Sequence, residues 1–363
     1  MNTLTNIAPL PADFLSLLAE SFAAEDILTA PEDCWTYGYD NSRRHVLPQA
    51  VVFPTTHEQV VSAVNACNRF KVALTARGRG TGTTGATTPL KSGLIVSLER
   101  MNKLVEFSPD NRYIIVEPGM TNQQVQDIAK ERGFFWPPDP TSAAFCSVGG
   151  NLAYNSAGPR AVKYGTPREN TLGLRAGVHT SKGVVGYDLT RLILGSEGTL
   201  AIITQATLKL TPLPEATKTL RAIYNSVFDA AKAVSAIMSQ PVIPCALEFI
   251  DGNAINMIRQ YSESDLPEHA GAMLMIEVDG QLEGLDTAAE KVAAAAKNDG
   301  LLDIRLAKTD AEVKALWQTR KALSPALPQP APKKTNPHLE DPLTELPPPL
   351  AALREPAKHN DLP

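Results

Sequence analysis

The chain has 363 residues, of which 43% are hydrophobic and 20% are charged, and its formal net charge is −5. This length exceeds what one hydrophobic core usually serves, so two domains are expected, and the composition excludes a wholly disordered chain. The acidic balance and the lack of a Lys/Arg block argue against a nucleic-acid-binding surface, and no apolar run is long enough for a transmembrane helix.

The cysteines and the first residues indicate a cytoplasmic protein. Cys34, Cys67, Cys146 and Cys245 lie far apart and form no CxxC pair. This spacing argues against a zinc or iron–sulfur site and favours reduced thiols. The start of the chain lacks the basic and apolar regions of a secretory signal. We therefore expect no metal site and no membrane span, and any attachment to the inner face of the membrane would depend on partners.

Strand-like and helix-like runs alternate in the first half of the chain. An apolar run at 50–53 precedes a predicted helix with Thr55 and Glu58 in capping-box spacing, and a second apolar run follows at 72–74. This βαβ pattern predicts strands that run parallel. Further strands are expected at 94–98, 103–107 and 113–117, and a further helix from Thr121, with Gln124 as its capping partner, to Gly133.

The sequence ARGRGTGTTG at 76–85 contains four glycines. Glycine adopts positive φ angles without strain, and successive N–H groups in such a turn form an anion nest suited to a pyrophosphate. A Rossmann NAD site would need a helix directly after the glycines, but TTPLKSG at 87–93 leaves no room for one. A phosphate-binding loop outside a Rossmann fold is therefore favoured, with an ordinary surface loop as the alternative.

Two later segments also bear on function. Residues 136–170 show little periodicity, and within them PPDPTSAAFCSVGGNLAYNSAG at 137–158 is rich in glycine, proline and asparagine. Long irregular segments inside compact domains are usually functional, with an ordered Ω-loop as the alternative. The third segment, LGSEGTLAIIT at 194–204, is a tight turn that leads into a strand predicted over 200–210.

The pattern changes beyond Pro214. Short β/α units on a four-stranded sheet predict an α+β sandwich. The last 39 residues, Pro325 to Pro363, contain eleven prolines and are predicted to form a poorly ordered tail. Between these segments, strands are predicted at 218–224, 245–250, 272–278 and 301–306, and helices near 227–239, 253–260, 284–298 and 309–322.

In this order and spacing, the segments resemble the vanillyl-alcohol-oxidase/p-cresol-methylhydroxylase type of FAD-linked oxidases, and within it the glycolate oxidase and D-lactate dehydrogenase branch. The matching sequences are PTTHEQVVSAVNACN, ARGRGTGTTGA, PPDPTSAAFCSVGGNLAYNSAGPRAVKYG, KGVVGYDLTRLILGSEGTLAIIT and LWQTRKALSPAL. The resemblance implies an α+β chain with a two-subdomain FAD-binding (PCMH-type) fold, followed by a ferredoxin-like α/β cap domain that is incomplete at the C-terminus. The implied regions are a helical lead-in at 1–45, the FAD-binding domain at 46–214, the partial cap at 215–324 and the tail at 325–363.

The resemblance also implies a site for non-covalent FAD. The glycine loop would hold the pyrophosphate, the second segment would line the ribityl chain and flavin, and the third would flank the nucleotide. Some relatives attach FAD through a histidine in the first loop, and none lies between Arg77 and Gly85. The implied cofactor-binding residues are Arg77, Gly78, Arg79, Gly80, Thr81, Gly82, Thr83, Thr84, Pro138, Asp139, Gly149, Gly150, Asn151, Asn155, Ser156, Gly158, Glu197, Gly198 and Ile202.

The implied reaction is hydride transfer from C2 of a small D-2-hydroxy acid to flavin N5. Arg320, in WQTRKALSP, matches the arginine that in relatives pairs with the substrate carboxylate, and its planar fork suits bidentate binding. Lys333 or Lys334 would assist. The alternative for Arg320 is a solvated residue at a helix end. Partner subunits or a separate electron acceptor would receive the electrons.

The chain departs from the family pattern in two places. Only Ala176 to Ser181 separate Arg175 from Lys182, so a strand of the FAD-binding domain is expected to be shortened or missing. Relatives also continue past the match to Pro363 into a segment that supplies metal ligands or a catalytic base. The histidines of this chain match none of those residues and are expected on the surface or in loops. The alternative to an active enzyme is therefore a catalytically dead paralogue that binds FAD or a partner subunit.

Overall fold

The computed structural model describes residues 8–175, 186–261 and 266–317. The chain divides into two compact units. The first is formed by residues up to Gly158 and by Gly165–Leu213, and the second by Pro159–Tyr164 and the residues from Pro214 onward.

The described residues contain both helices and strands in each unit. The helices are α1 (Ala12–Ala19), α2 (Pro31–Cys34), α3 (His57–Phe70), α4 (Asn122–Lys130), α5 (Val148–Tyr154), α6 (Ala161–Tyr164), α7 (Leu189–Ile193), α8 (Val227–Ser239), α9 (Gly252–Tyr261) and α10 (Leu282–Ala295), followed by helical residues 310–317. The strands are β1 (Ile27–Leu28), β2 (Ala50–Val52), β3 (Leu74–Arg77), β4 (Leu94–Ser97), β5 (Leu104–Ser108), β6 (Tyr113–Val116), β7 (Phe134–Phe135), β8 (Thr171–Leu174), β9 (Ala206–Lys209), β10 (Thr211–Pro212), β11 (Ala216–Tyr224), β12 (Ala246–Asp251), β13 (Ala272–Gly280) and β14 (Leu301–Leu306).

The first sheet of the first unit has the strand order β1-β2-β4-β3. Strands β2 and β3 both run parallel to β4, which lies between them, and α3 makes the crossover. All four residues of β4 are buried, which explains its continuous apolar sequence. The two strands of the predicted βαβ unit, β2 and β3, run parallel, but they do not pair directly because β4 lies between them. Strand β1 was not predicted, because a strand of two residues shows no periodicity.

The N-terminus of α3 differs by one residue from the prediction. Thr56, not Thr55, is the N-cap, and its capping partner is Gln59 rather than Glu58. The amide of Gln59 also reaches back to the carbonyl of Ser21, at 2.9 Å, whereas Glu58 is exposed. Two capping pairs overlap in this sequence, Thr55 with Glu58 and Thr56 with Gln59. The contact of Gln59 with Ser21 favours the second pair. The predicted pair at the start of α4, Thr121 and Gln124, is confirmed as a capping box.

The second sheet of the first unit is antiparallel, with the order β5-β6-β9-β8. The strand predicted over 200–210 is wrong in length, since only Ala206–Lys209 pair with β6. Strand β6 is four residues long, so it pairs with only four residues of this segment. The apolar residues before β9 pack their side chains instead, Ile202 against the core beside the first sheet and Ile203 against the core of the second.

The long segment predicted to be irregular also contains short helices, α5 and α6. Neither has a helical apolar stripe, because α5 begins Val-Gly-Gly and α6 is four residues long. Trp136, at the start of this segment, is fully buried in the core of the second sheet. A buried aromatic side chain therefore fixes the start of this segment in the core. The glycine-, proline- and asparagine-rich composition of the segment did not indicate this.

The second unit is built on an antiparallel sheet in the order β12-β13-β11-β14. With α8 after β11 and α10 after β13, this is the ferredoxin-like βαββαβ arrangement that the resemblance implied. Helices α8 and α10 pack on one face of the sheet, whereas α9 and Trp317 pack on the other. The α+β fold class is confirmed.

Helix α6 belongs to the second unit, although its chain neighbours on both sides belong to the first. Lys163 forms a salt bridge with Asp279 of β13, and the Tyr164 hydroxyl donates to the other carboxylate oxygen at 2.7 Å. Burial, reinforced by Asp279, raises the pKa of the Tyr164 hydroxyl, so the phenol stays protonated and donates. These contacts attach the segment to the sheet.

All four cysteines are buried free thiols. No helix among the described residues is both long and apolar enough to cross a membrane. The shortened connection at Ala176–Ser181 and the Pro-rich tail lie outside the described residues.

Replacing Trp136 by Phe should lower the free energy of unfolding by about 1–3 kcal/mol. The indole is 0% exposed, and its Nε1–H donates to the carbonyl of Asn170 at 3.0 Å. Phe would lose this bond and leave a gap. Urea unfolding followed by circular dichroism measures the change. Trp35→Phe is the control, because Trp35 is 56% exposed and should change stability by less than about 0.5 kcal/mol. Equal losses in both variants would contradict this account of the core.

Candidate functional site

The glycine loop, residues 78–84, leaves the sheet at the end of β3, where Arg77 pairs with Ser97 of β4. Its carbonyls face the lead-in, since the Asn41 N–H donates to the carbonyls of both Gly80 and Gly82, at 3.1 and 3.0 Å. Within the described part of the chain, no backbone N–H of residues 78–84 donates a hydrogen bond to another residue. Unpaired N–H groups in one loop form the anion nest that the glycine pattern predicts.

The Arg77 side chain packs against this loop. Its guanidinium is buried and donates to the carbonyls of Tyr39, at 2.6 Å, and Thr36, at 3.4 Å. Burial lowers the pKa of Arg77, and the Asp40 carboxylate opposes that shift. Gly80 lies against the guanidinium with a φ of +66°, and a Cβ there would come within 2.4 Å of Nη2. Only glycine therefore combines this φ with this close approach.

The second segment meets the loop at the start of α5. Ser147 is the N-cap, and its Oγ accepts from the Gly150 N–H at 3.3 Å. A Cβ on Gly78 would approach the same Oγ to 2.4 Å, and a Cβ on Gly149 would approach Pro118 Cβ to 2.6 Å. The glycines thus allow the loop, the helix and the chain at Pro118 to lie in contact.

The third segment is attached to the end of α5. The Gly195 N–H donates to the carbonyl of Leu152 at 3.0 Å, and the Glu197 N–H donates to the carbonyl of Ala153 at 2.9 Å. Glu197 and Gly198 both have positive φ, 51° and 78°. This turn brings the Glu197 carboxylate to the glycine loop.

All three segments converge at Thr84. Its hydroxyl forms a 2.8 Å hydrogen bond with the Tyr154 hydroxyl of α5 and lies 3.4 Å from both carboxylate oxygens of Glu197. Burial raises the pKa of Tyr154 above its ordinary value, so the phenol remains neutral. The segments that the sequence singled out separately therefore form one site.

A cleft of about 60 Å³, here called the inner cleft, opens between these segments. Its walls are mostly backbone, glycine and small apolar side chains, with Glu197 as an acidic group. A Cβ on Gly198 would make only an ordinary contact with Ala76, so the positive φ of this residue, and not a lack of space, favours glycine here. The lining residues are Ala76, Arg77, Gly78, Ala86, Thr87, Leu98, Pro118, Ser147, Gly149, Gly150, Ala153, Tyr154, Glu197, Gly198, Ala201, Ile202 and Ile203.

Several predicted site residues lie elsewhere. The side chain of Asn151 is buried and bonds to Asn122 and Cys146 instead of facing the inner cleft. Asn155 ends α5 in the left-handed conformation, and its Oδ1 accepts from the Arg168 N–H at 3.2 Å. These two side chains hold the backbone of the second segment.

The remaining predicted residues fall into three places. Asp139 and Gly158 are in contact, since the Asp139 N–H bonds to Ala157 and a Cβ on Gly158 would approach the Asp139 carbonyl to 2.4 Å. Pro138 and Ser156 flank that contact, and Arg79, Thr81 and Thr83 belong to the glycine loop. Arg320, Lys333 and Lys334 lie outside the described residues.

Sequence reasoning missed Ser147, Tyr154 and Pro118. The signal for Ser147 was available, because a serine directly before a helix is a favoured N-cap. Tyr154 and Pro118 gave no signal, since their importance depends on contacts with residues far away in the chain. Of the histidines expected on the surface or in loops, His57 is instead the first residue of α3, where its Nδ1 lies 2.8 Å from the Thr204 hydroxyl.

Comparison with known families gives two matches that together cover most of the chain. Residues 48–185 match the family described as "FAD binding domain", and residues 213–361 match "FAD linked oxidases, C-terminal domain". The first match contains the glycine loop and α5, and the second begins at the boundary between the two units.

Several curated proteins are similar to the chain. Glycolate oxidase subunit GlcD of Bacillus subtilis (strain 168) is 36% identical over 80% of this chain and 64% of that protein. D-lactate dehydrogenase of Archaeoglobus fulgidus is 32% identical over 85% of this chain and 69% of that protein. D-2-hydroxyglutarate dehydrogenase of Xanthomonas citri pv. viticola is 30% identical over 88% and 70%. The chain thus spans somewhat less than two thirds of the glycolate oxidase subunit.

Among solved structures, alkyldihydroxyacetonephosphate synthase is similar to the chain with a TM-score of 0.72 and 21% identity. The likeness covers 88% of this chain and 65% of that structure. At this identity the comparison establishes the fold.

The residues of the site fit FAD. A pyrophosphate carries negative charge and needs N–H donors, and the glycine loop presents a row of amides without partners among the described residues. The neighbouring inner cleft is largely apolar, and four glycines in its lining leave backbone exposed to a ligand. Residues 78–84 would hold the phosphates, and the inner cleft would hold one end of the nucleotide.

Replacing Gly80 by Leu should abolish FAD binding. The side chain would collide with the buried guanidinium of Arg77 and disfavour the positive φ that sets the amides of the loop. The FAD content of the purified protein and an FAD titration measure the loss.

Gly133→Leu is the matched control for this prediction. Gly133 also has a positive φ, +80°, but a Cβ there meets nothing within 4 Å. This variant should lose some stability and keep its FAD. Retention of FAD by Gly80→Leu, or loss of FAD from both variants, would contradict the role of the loop.

Proposed function

The chain belongs to the FAD-linked oxidases, and from this premise we propose that it oxidises a small D-2-hydroxy acid, with hydride passing from C2 of the substrate to flavin N5. Three similar proteins carry names that refer to glycolate, D-lactate and D-2-hydroxyglutarate. These compounds share a hydroxyl on the carbon next to a carboxylate. That shared group defines the substrate class we assign to this chain.

The observation that carries the proposal is the glycine loop, whose amides have no partner within residues 8–175, 186–261 and 266–317, beside a cleft formed by all three segments of the site. Bound FAD supplies the two-electron acceptor for this chemistry. The chain's own residues hold the cofactor: amides of residues 78–84 bind the phosphates, Arg77 keeps the loop in shape, and Thr84, Tyr154 and Glu197 hold the segments together.

We assign binding of the substrate carboxylate to Arg320, with Lys333 or Lys334 assisting. Arg320 follows helical residues 310–317, which are attached to the second unit through Trp317. The indole Nε1–H donates to Glu277 of β13 at 2.6 Å, and the ring packs against the apolar face formed with α9. Arg320 follows this attached tryptophan by three residues in the sequence.

The names of two similar proteins refer to subunits. We therefore propose that the electrons leave to a partner subunit or to a separate electron acceptor. The chain would act in the cytoplasm, with partners accounting for any association with the inner face of the membrane.

The proposed activity predicts that a 2-hydroxy acid reduces the bound FAD. Anaerobic addition of glycolate, D-lactate or D-2-hydroxyglutarate to the yellow protein should bleach the visible flavin absorbance, and L-lactate, the control, should leave it unchanged. A protein that binds FAD but is bleached by none of these acids would favour the alternative of a catalytically dead FAD-binding paralogue.

Replacing Arg320 by Lys should raise KM for the substrate about 10- to 100-fold, with a smaller effect on kcat. Lysine keeps the charge but loses the bidentate fork, and a hydrogen bond between charged groups contributes about 1.5–3 kcal/mol. Steady-state kinetics with a dye acceptor give both constants. Lys314→Gln is the control, because Lys314 is exposed on the same helical segment. Equal kinetics for Arg320→Lys and the control would show that another residue binds the carboxylate.

A further inference from the structure

One carboxylate holds the α6 segment, residues Pro159–Tyr164, in the second unit. Lys163 pairs with one side-chain oxygen of Asp279 and also donates to the Asp279 carbonyl at 3.2 Å. The Tyr164 hydroxyl donates to the other side-chain oxygen at 2.7 Å. These three side chains are here called the Asp279 clamp.

The Asp279 clamp combines an ion pair with a neutral donor. The Asp279 side chain is 5% exposed, and a buried carboxylate is stable only when it is paired. Burial, and then the bond to Asp279, raises the pKa of Tyr164, so this donor does not ionise. An amide in place of the carboxylate would remove the charge and leave one acceptor oxygen where the clamp uses two.

The chain before the α6 segment is bonded within the second segment of the FAD site. Ala157 lies two residues before Pro159, and its carbonyl accepts from the Asp139 N–H at 2.8 Å. Gly158 has a φ of +86°, and a Cβ there would approach the Asp139 carbonyl to 2.4 Å. The N-terminal end of the α6 segment therefore continues directly from a closely packed part of the site.

The chain after the α6 segment is bonded to the site as well. Glu169 accepts from the N–H and the hydroxyl of Thr166, at 2.7 and 2.8 Å. The Arg168 N–H donates to Asn155 Oδ1 at 3.2 Å, and its guanidinium donates to the Leu194 carbonyl at 3.3 Å. Asn155 belongs to the second segment of the site and Leu194 to the third. Six residues thus separate two parts of the chain that are both bonded to the FAD site.

We propose that Asp279 is a positioning residue for the FAD site, and that FAD binding by the first unit is coupled through the α6 segment to the Asp279 clamp in the second. While the clamp is closed, the positions of Gly158 and Gly165 at the two ends of the segment are restricted. When it opens, six residues gain conformational freedom, and the ends can move away from the arrangement that binds FAD. Asp279 itself lies in β13 and in the second family match, which begins at residue 213.

Asp279→Asn should weaken FAD binding to the full chain about tenfold, measured by calorimetric titration, because the clamp loses its ion pair. Lys163→Met should weaken it similarly. Lys163→Arg should retain most of the affinity, because arginine keeps both the charge and the donors.

Asp303→Asn is the matched control. Asp303 lies in β14 of the same sheet and accepts from Arg221 at 3.2 Å, so this variant also loses an ion pair of the second unit. It should lower the free energy of unfolding and leave FAD affinity unchanged, because no contact of the α6 segment is altered.

Hydrogen exchange followed by mass spectrometry tests the coupling in the opposite direction. The N–H groups of Lys163 and Tyr164 donate to the Arg160 carbonyl, at 3.2 and 3.0 Å, so their exchange reports opening of α6. Because coupling is reciprocal, saturating FAD should slow their exchange about tenfold in the unaltered chain. In Asp279→Asn at saturating FAD, this protection should be lost. Exchange in α8 should not respond to FAD in either protein.

Unchanged FAD affinity in both Asp279→Asn and Lys163→Met would overturn the proposal. An equal loss in Asp303→Asn would also overturn it, since general destabilisation would then explain the effect. Equal protection of α6 by FAD with and without the carboxylate would show direct shielding by the ligand instead of coupling. Should Asp279→Asn fail to fold, the comparison of Lys163→Met with Lys163→Arg decides.

This inference rests on FAD binding and is independent of the reaction under Proposed function. If the affinity and exchange changes occur but no 2-hydroxy acid reduces the FAD, the proposed function fails and the coupling stands. If a 2-hydroxy acid reduces the FAD and the Asp279 and Lys163 variants bind FAD normally, the coupling fails and the proposed function stands.

Discussion

The site depends on a row of backbone amides that have no hydrogen-bond partner in the part of the chain that the structure describes. Polar backbone groups inside a folded protein are almost always hydrogen bonded, so a loop that withholds several N–H groups must be held open by other contacts. Here the carbonyls of Gly80 and Gly82 are taken by Asn41, and the guanidinium of Arg77 fills the space behind the loop. The parallel strands β3 and β4 fix where the loop begins. These contacts fix the loop through its carbonyls and through Arg77, and they use none of its amides.

The sequence predicts the second unit well because its elements are long and strongly patterned. Helix α8 occupies the predicted residues 227–239, and the four predicted strands correspond to β11 to β14. A nine-residue strand such as β11, buried along most of its length, leaves a clear apolar pattern. The prediction was least accurate where elements are short or where tertiary contacts choose between local options, as with β9 and the cap of α3.

The same distinction applies to the site. Glycines at 78, 80 and 149 could be recognised from the sequence, because a side chain at each of these positions would collide with neighbouring atoms. Tyr39, Asn41 and Tyr154 could not be recognised, because ordinary residue types become important only through contacts with distant parts of the chain. Arg77, for example, bonds to carbonyls that precede it by 38 and 41 residues. The sequence motifs were enough to predict FAD as the cofactor, whereas the residues that surround it could be identified only from the fold.

Helix α6 has a consequence for the connectivity of the chain. Pro159–Tyr164 belong to the second unit and are flanked by residues of the first, so the backbone passes between the units three times, at 158/159, at 164/165 and at 213/214. A protease that cut any one of these connections would leave the two units covalently joined. A gene fragment that began at Pro214 would encode Asp279 without Lys163 and Tyr164, leaving a carboxylate that is 5% exposed without those two partners. The second unit is therefore continuous in space but encoded in two separate pieces.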